Sequence, residues 1–400
     1  MKNRKNINLS GEVYPFLIHF VVALTTLATV PLGAYIVSGT SLEPSQLGYL
    51  VSANAIFSSL VSYFVSNRPW FSRLNMPLFV ASLAIALFLM TLSRSPYIMI
   101  IFQSLIGGLS GAITVMNFNR TMHTSSQQNR KSRIAMLLSA YPLALAVGVP
   151  VLILAASTHG WKVAFYVLSV MTLFVALCGI KIVNTKSELC IDIASNEHQA
   201  SVNGGIYKRS DFWLGSGAIF MCVFSTFLFS IPLPSYLLTQ QHVSASMLSI
   251  AYVLGGLGCF FMTNKNAQGD HCSLSIKGLT LSSVGIGLLA WIAFYVQQSN
   301  VAVMAFVLFV VVSASRTIMV KTEALYQVDS GVRSLMIGSQ PGIQHTAMAA
   351  AGLIGSAILS YGNEGGYASL VEVGVCFLLL VPVLYAAFKH HLSEKKPSVC

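Results

Sequence analysis

From about residue 14 to residue 388, long apolar stretches alternate with short polar connections. Each stretch has the ~18 or more residues that, at ~1.5 Å per residue, carry a helix across a ~30 Å hydrocarbon layer. Twelve spans are predicted, at 14–38, 47–66, 76–93, 97–118, 134–156, 163–181, 212–238, 245–263, 275–296, 301–323, 335–360 and 368–388. Strands of a membrane barrel are about half as long and alternate polar with apolar positions, so the pattern reads as helix. Helices also close their own backbone hydrogen bonds, which lipid cannot do for them. The expected fold is an all-α membrane protein: a six-helix bundle at 1–180, a polar linker at 181–211, a second six-helix bundle at 212–388 and a tail at 389–400.

Composition sharpens this picture. Charged residues make up 9% of the chain and hydrophobic ones 55%, whereas soluble domains carry about a quarter charged residues. The formal charge of +11 invites a nucleic-acid partner until each cation is placed. With a cytoplasmic amino terminus, 20 Lys and Arg residues fall on the inner side, only Arg94 and Lys162 fall outside, and Arg316 lies within a span. That bias sets an even number of spans and puts both termini in the cytoplasm. The expected location is a bacterial inner membrane, with lipid and no nucleic acid as partner, and a monomer as the expected state. The seven cysteines show no paired spacing and read as small apolar residues.

The two halves resemble each other. "RIAMLLSAYP" starts at Arg133 and "RSLMIGSQPG" at Arg333, so Arg133, Met136 and Ser139 answer Arg333, Met336 and Ser339 at an offset of 200. Duplicated transporters place their substrate site between the halves near the bilayer midplane. Small residues in spans 5 and 11, Gly148, Gly338, Gly342 and Gly355 among them, mark a seam along which the halves can meet closely.

Several segments together resemble the major facilitator superfamily, and within it the drug:proton antiporters and the arabinose- and sugar-efflux permeases. "HGWKVAFYVLSV" (159–170) is similar to the family's Gly-Trp-Arg-x-x-Phe signature, and "LEPSQLGYLVSANAIF" (42–57) to the start of span 2. "FQSLIGGLSGA" (102–112) is similar to the span 4 motif, and "AVGVPVL" (146–152) to a reduced antiporter motif. The resemblance implies two pseudo-symmetric six-helix bundles that rock about a central site. It also implies gating by the loop between spans 2 and 3 (Asn67, Arg68) and by Arg133 and Arg333. Two departures stand out: Asn67 sits where the family has an aspartate, and Gln103 where its span 4 motif has an arginine. A neutral amide cannot make the charge pairs of a carboxylate.

Ionisable groups are costly within a membrane and point to function. His345, in "GIQHTA", lies among small residues of span 11, His19 lies one turn inside span 1, and Glu323 sits at the inner end of span 10. These three are the proton-coupling candidates; His19 also reads as an ordinary interfacial histidine. Lys321 and Glu323 can reach cytoplasmic water by extending their side chains. Arg316 lies deeper: it stretches toward the cytoplasm, or pairs with a carbonyl, or anchors an anionic group of the substrate. Gln344, His345, Gln103, Thr25, Thr26, Asn117, Tyr141, Thr226 and Tyr252 join Arg316 as expected cavity residues because polar side chains in central spans need polar neighbours.

The function expected from these observations is a secondary transporter exporting a small organic solute, such as an anionic metabolite, siderophore, sugar or drug, in exchange for protons. Uptake of an organic anion or sugar-like solute is the alternative, and a transporter-like sensor or intramembrane enzyme is a third class. No nucleotide-binding Gly-x-x-x-x-Gly-Lys-Ser/Thr loop occurs. No catalytic set converges, and "GDHC" (269–272) lacks the spacing of metal ligands, so no enzyme activity, metal or cofactor is expected.

Overall fold

The computed structural model describes residues 9–66, 75–93, 95–124, 127–185, 209–268, 275–361 and 366–395, all helices and connections with no strand among them. The first half comprises α1 (Leu9–Ala28), α2 (Gly33–Ser38), α3 (Leu47–Ser66), α4 (Met76–Leu92), α5 (Pro96–Thr124), α6 (Gln127–Leu143), α7 (Val149–His159) and α8 (Trp161–Thr185). The second comprises α9 (Ser210–Ser230), α10 (Leu233–Thr239), α11 (Ala245–Gln268), α12 (Ile276–Tyr295), α13 (Ser299–Gln327), α14 (Ser330–Tyr361) and α15 (Gly366–Lys395). Among the described residues ten segments are long and apolar enough to cross a membrane, and two shorter apolar helices, Val13–Ala28 and Met76–Leu92, stand at the other two predicted spans. We call the face where α1 begins proximal and the opposite face distal.

The spans lie where the apolar runs predict them, with two corrections. The first predicted span, 14–38, is divided at Thr29–Leu32, and the seventh, 212–238, at Ile231–Pro232. Pro31 and Pro232 have no N–H to offer the preceding turn, so each helix stops and restarts as a short distal piece. The pieces are related in sequence as well as in space: Pro31, Leu32 and Tyr35 answer Pro232, Leu233 and Tyr236 at an offset of 201. Several helices also run beyond the apolar stretch on the proximal side, α5 to Thr124 and α15 to Lys395. Helical hydrogen bonds persist in water once the span has nucleated the helix.

The two halves repeat one pattern of packing. In the first, α3 lies on α5, α4 on α5 and α8, and α1 on α6 and α8; in the second, α11 lies on α13, α12 on α13 and α15, and α9 on α14 and α15. Large apolar side chains such as Phe174, Phe261 and Leu281 point outward, as a lipid solvent allows. Small residues set how closely the helices approach. Gly107 and Gly111 of α5 rest against the backbone of α3 at Asn54 and Ser58, leaving no room for a methyl group.

On the proximal side, Arg209 donates to both Asp211 and Asp329 at 2.6 Å, and His391 lies 3.0 Å from Asp211. This cluster joins the start of α9 to the α13–α14 turn and to the end of α15. The two carboxylates hold the Arg209 guanidinium above its usual pKa.

Gly107→Ala will force α3 and α5 apart, at a cost of about 1–3 kcal/mol typical of overpacking, and will lower the midpoint of thermal unfolding in detergent. Gly217→Ala, where a methyl group meets open space, will leave that midpoint unchanged.

Candidate functional site

Among the described residues, two lateral seams and a distal contact join the halves. Along the first seam, between α3 and α14, Ser52 donates to the Ala349 carbonyl at 2.8 Å and Ser59 to the Gly342 carbonyl at 3.0 Å. Ser59 also shares a 2.8 Å hydrogen bond with Thr346, while Gly48 and Gly352 meet backbone to backbone and Tyr63 covers Gly342. The second seam packs α11 on α6 and α7, with Gly256 pressed on the Ala146 backbone. Ala146 belongs to a π-helical turn, Ala144–Gly148, set just ahead of Pro150, whose missing N–H already disturbs the hydrogen-bond ladder. At the distal end α2 abuts α10, where Ser235 sits over Gly33.

Between these contacts several polar side chains keep accessible surface. Tyr141 of α6 is 39% accessible to water, yet it is surrounded by protein and neighbours Tyr252 and Cys259 of α11 across the seam. His19 of α1, Lys321 of α13 and His345 of α14 are likewise half-buried yet deep within the protein mass. Accessible surface on side chains that lie so deep is what the wall of an internal chamber would show. In both histidines Nδ1 is buried without a hydrogen-bond partner, so Nε2 is the accessible edge. The Lys321 ammonium acts electrostatically on His345. Thr26 and Gln344 are half-buried on α1 and α14, the helices that carry the two histidines.

Two of the expected cavity residues go elsewhere. Arg316 is 2% exposed inside the second bundle. Its Nη2 donates to the Cys222 carbonyl (3.1 Å), Ser225 (3.2 Å) and Thr226 (2.9 Å), and its Nη1 donates to Ser283 (3.1 Å). It thus ties α13 to α9 and α12 through neutral groups, and it does not stretch toward proximal water. Gln103 is 1% exposed inside the first bundle. It accepts from Asn54 at 3.0 Å and donates to Thr29, at the break between α1 and α2, at 3.1 Å.

The remaining candidates divide in the same way. Thr226 is brought to Arg316, and Tyr141 to Tyr252. Asn117 donates to the Pro15 carbonyl at 2.8 Å and holds α5 to α1. Thr25 is buried and bonds back to the Val21 carbonyl at 2.7 Å. Glu323 accepts from Gln327 and lies near Tyr385 of α15. Of the gating residues, Arg133 is half-buried near the start of α6 and Arg333 lies on α14, while Asn67 and Arg68 fall outside the described residues, as does the GDHC segment. Lys321, read from the sequence as reaching proximal water, is half-buried on α13. The signal that could have found it is the backward lean of helical side chains toward the helix amino terminus, here distal and into the protein.

The family model of the Major Facilitator Superfamily matches residues 15–356, across both bundles. The chain belongs to the major facilitator superfamily. Solved structures agree on the fold. The chain superposes over 100% of both lengths on a bacterial homologue of the human lysosomal transporter Spinster, at 15% identity, with TM-score 0.72 for its inward-facing unoccupied form and 0.70 for its occupied form. Over 95% of this chain and 100% of the other, it superposes on a mutant of the nucleoside transporter NupG at 12% identity and TM-score 0.67. No curated protein matches it.

The superfamily motifs noted in the sequence have physical work in this fold. Gly160 ends α7 at φ 83°, a conformation that suits glycine, and Trp161 then packs against Gly39 and edge-on against Phe165 at 5.9 Å. The span 4 glycines are the close approach of α5 to α3.

Arg316→Ala will remove four hydrogen bonds to a charged group and leave a cavity, destabilising the second bundle by about 3 kcal/mol or more. Arg316→Lys will recover only part, because a single ammonium cannot span Ser283 and Thr226. The measurement is thermal unfolding of the purified protein. Lost transport with unchanged stability would instead put Arg316 at the solute.

Proposed function

We propose that this superfamily member is a secondary transporter that exports a small organic solute across the bacterial inner membrane by alternating access, in exchange for protons. The observation that carries the reading is accessible surface on deep polar side chains between two similarly packed six-helix halves, which points to a chamber there. Its walls carry ionisable groups from both of them: His19 and Tyr141 from the first, Lys321 and His345 from the second. The charge bias along the chain makes the proximal face cytoplasmic.

On that assignment the distal seal between α2 and α10 closes the outer side. We read the conformation as inward-facing because the contacts between α2 and α10 join the halves distally. The seams suit a rocking motion, since they are built from glycines and from hydroxyls donating to carbonyls rather than from interlocked large side chains. His345 is the coupling residue favoured by placement. Its Nε2 faces the chamber, and the described carboxylates lie away from it. Export, rather than uptake, rests on the resemblance to efflux permeases.

The test is a reversible lock. In a background without native cysteines, Ser59→Cys with Thr346→Cys will form a disulfide under mild oxidation, since the two hydroxyls are 2.8 Å apart. Secretion of the solutes that appear in the medium only when the gene is expressed will stop on oxidation and return on reduction. Unchanged secretion with complete cross-linking would remove the rocking mechanism, and solutes vanishing from the medium into the cells would make the protein an uptake permease.

A further inference from the structure

We propose that the transported solute is an organic anion whose acidic group docks between the Lys321 ammonium and the Nε2 edge of His345. The inference rests on the transporter reading above and adds the chemical class of the cargo.

Four observations converge on it. Lys321 has no hydrogen bond and no carboxylate within 4 Å among the described residues, although it lies deep in the protein. An ammonium there has lost much of its hydration and has gained no counter-ion, so a bound anion completes the site. His345, on the neighbouring helix α14, is within electrostatic reach of that ammonium, and with Nδ1 buried its Nε2 is the accessible edge. The third observation is Arg316, five positions before Lys321 on α13, whose permanent charge is surrounded only by hydroxyls and a carbonyl. It cannot itself touch the solute, but its field reaches the chamber and has the same sign.

The fourth is where the acids are. Glu43 lies in the distal connection, Glu372 is exposed on α15, and Glu323 turns toward Tyr385. Asp211 and Asp329 are both bonded to Arg209. Among the described residues none of these carboxylates faces Lys321 across the chamber. On the opposite half, Tyr141 of α6 offers an aromatic face and a hydroxyl to the uncharged body of the solute. A cationic anchor in one half and an aromatic wall in the other also give the solute a grip on both halves at once.

The experiment compares the media of isogenic host strains carrying the wild-type gene, Lys321→Gln, Lys321→Arg or no gene, by untargeted mass spectrometry, with membrane levels matched. Solutes secreted only with the wild type will be acids ionised at neutral pH. Their secretion will fall about tenfold or more with Lys321→Gln, the scale of one lost charge-assisted hydrogen bond, and recover in part with Lys321→Arg. Neutral or cationic solutes, or wild-type secretion by Lys321→Gln, would overturn the proposal while leaving transport standing; no gene-dependent solute in medium or cells would overturn the transport reading beneath it. Because Lys321→Gln could misfold, purified wild-type protein is also heated with the secreted acid and with its uncharged methyl ester. The acid alone will raise the melting temperature, and an equal rise with the ester would overturn the proposal.

Discussion

The whole arrangement depends on backbones being able to touch. Lipid chains are as apolar as leucine, so no hydrophobic force drives one span onto another, and close approach between small residues has to supply the contact. In this chain Gly107 and Gly111 seat α5 on α3, Gly256 seats α11 on the π turn, and Gly48 meets Gly352 across the halves. Where such contacts lie within a half they make it rigid. Where they lie between the halves they form narrow seams along the sides.

Polar side chains within the membrane fall into two groups on this frame. Gln103 and Arg316 are the hubs of their own bundles, each bonding three helices through neutral partners and facing no chamber. His19, Tyr141, Lys321 and His345 keep accessible surface at the centre. An isolated polar group is expensive in hydrocarbon, so the first group explains how the bundles hold together and the second marks where water and solute belong. The proposed transport cycle needs both: halves stiff enough to move as units, and a wet interior for them to expose in turn.

The spans were legible because an uninterrupted apolar run has only one stable reading in lipid, and their ends were set by polar connections. The breaks in the first and seventh spans were equally present in the sequence, in Pro31 and Pro232 and their shared Pro-Leu-x-x-Tyr pattern. They escaped because hydropathy runs straight through them. The site was legible only in part. His345 and Tyr141 keep accessible surface at central positions, but the argument from position and polarity also picked Arg316 and Gln103, which are buried within their bundles. Sequence gives depth along a helix and composition around it; it does not give the rotation that decides between the inside of a bundle and the space between bundles. Lys321 shows the converse error, since a lysine near a helix end can extend toward water or lean back into the protein, and only packing distinguishes them.

The most direct measurement of the central chamber is thiol labelling of single cysteines in a cysteine-free protein, in membranes, by a charged maleimide that cannot cross lipid. Cysteines in place of Tyr141, His19 and His345 are predicted to react from the proximal side, while a cysteine in place of the outward-facing Leu281 stays unlabelled. Chamber positions as inert as Leu281 would show a dry interior and contradict the account.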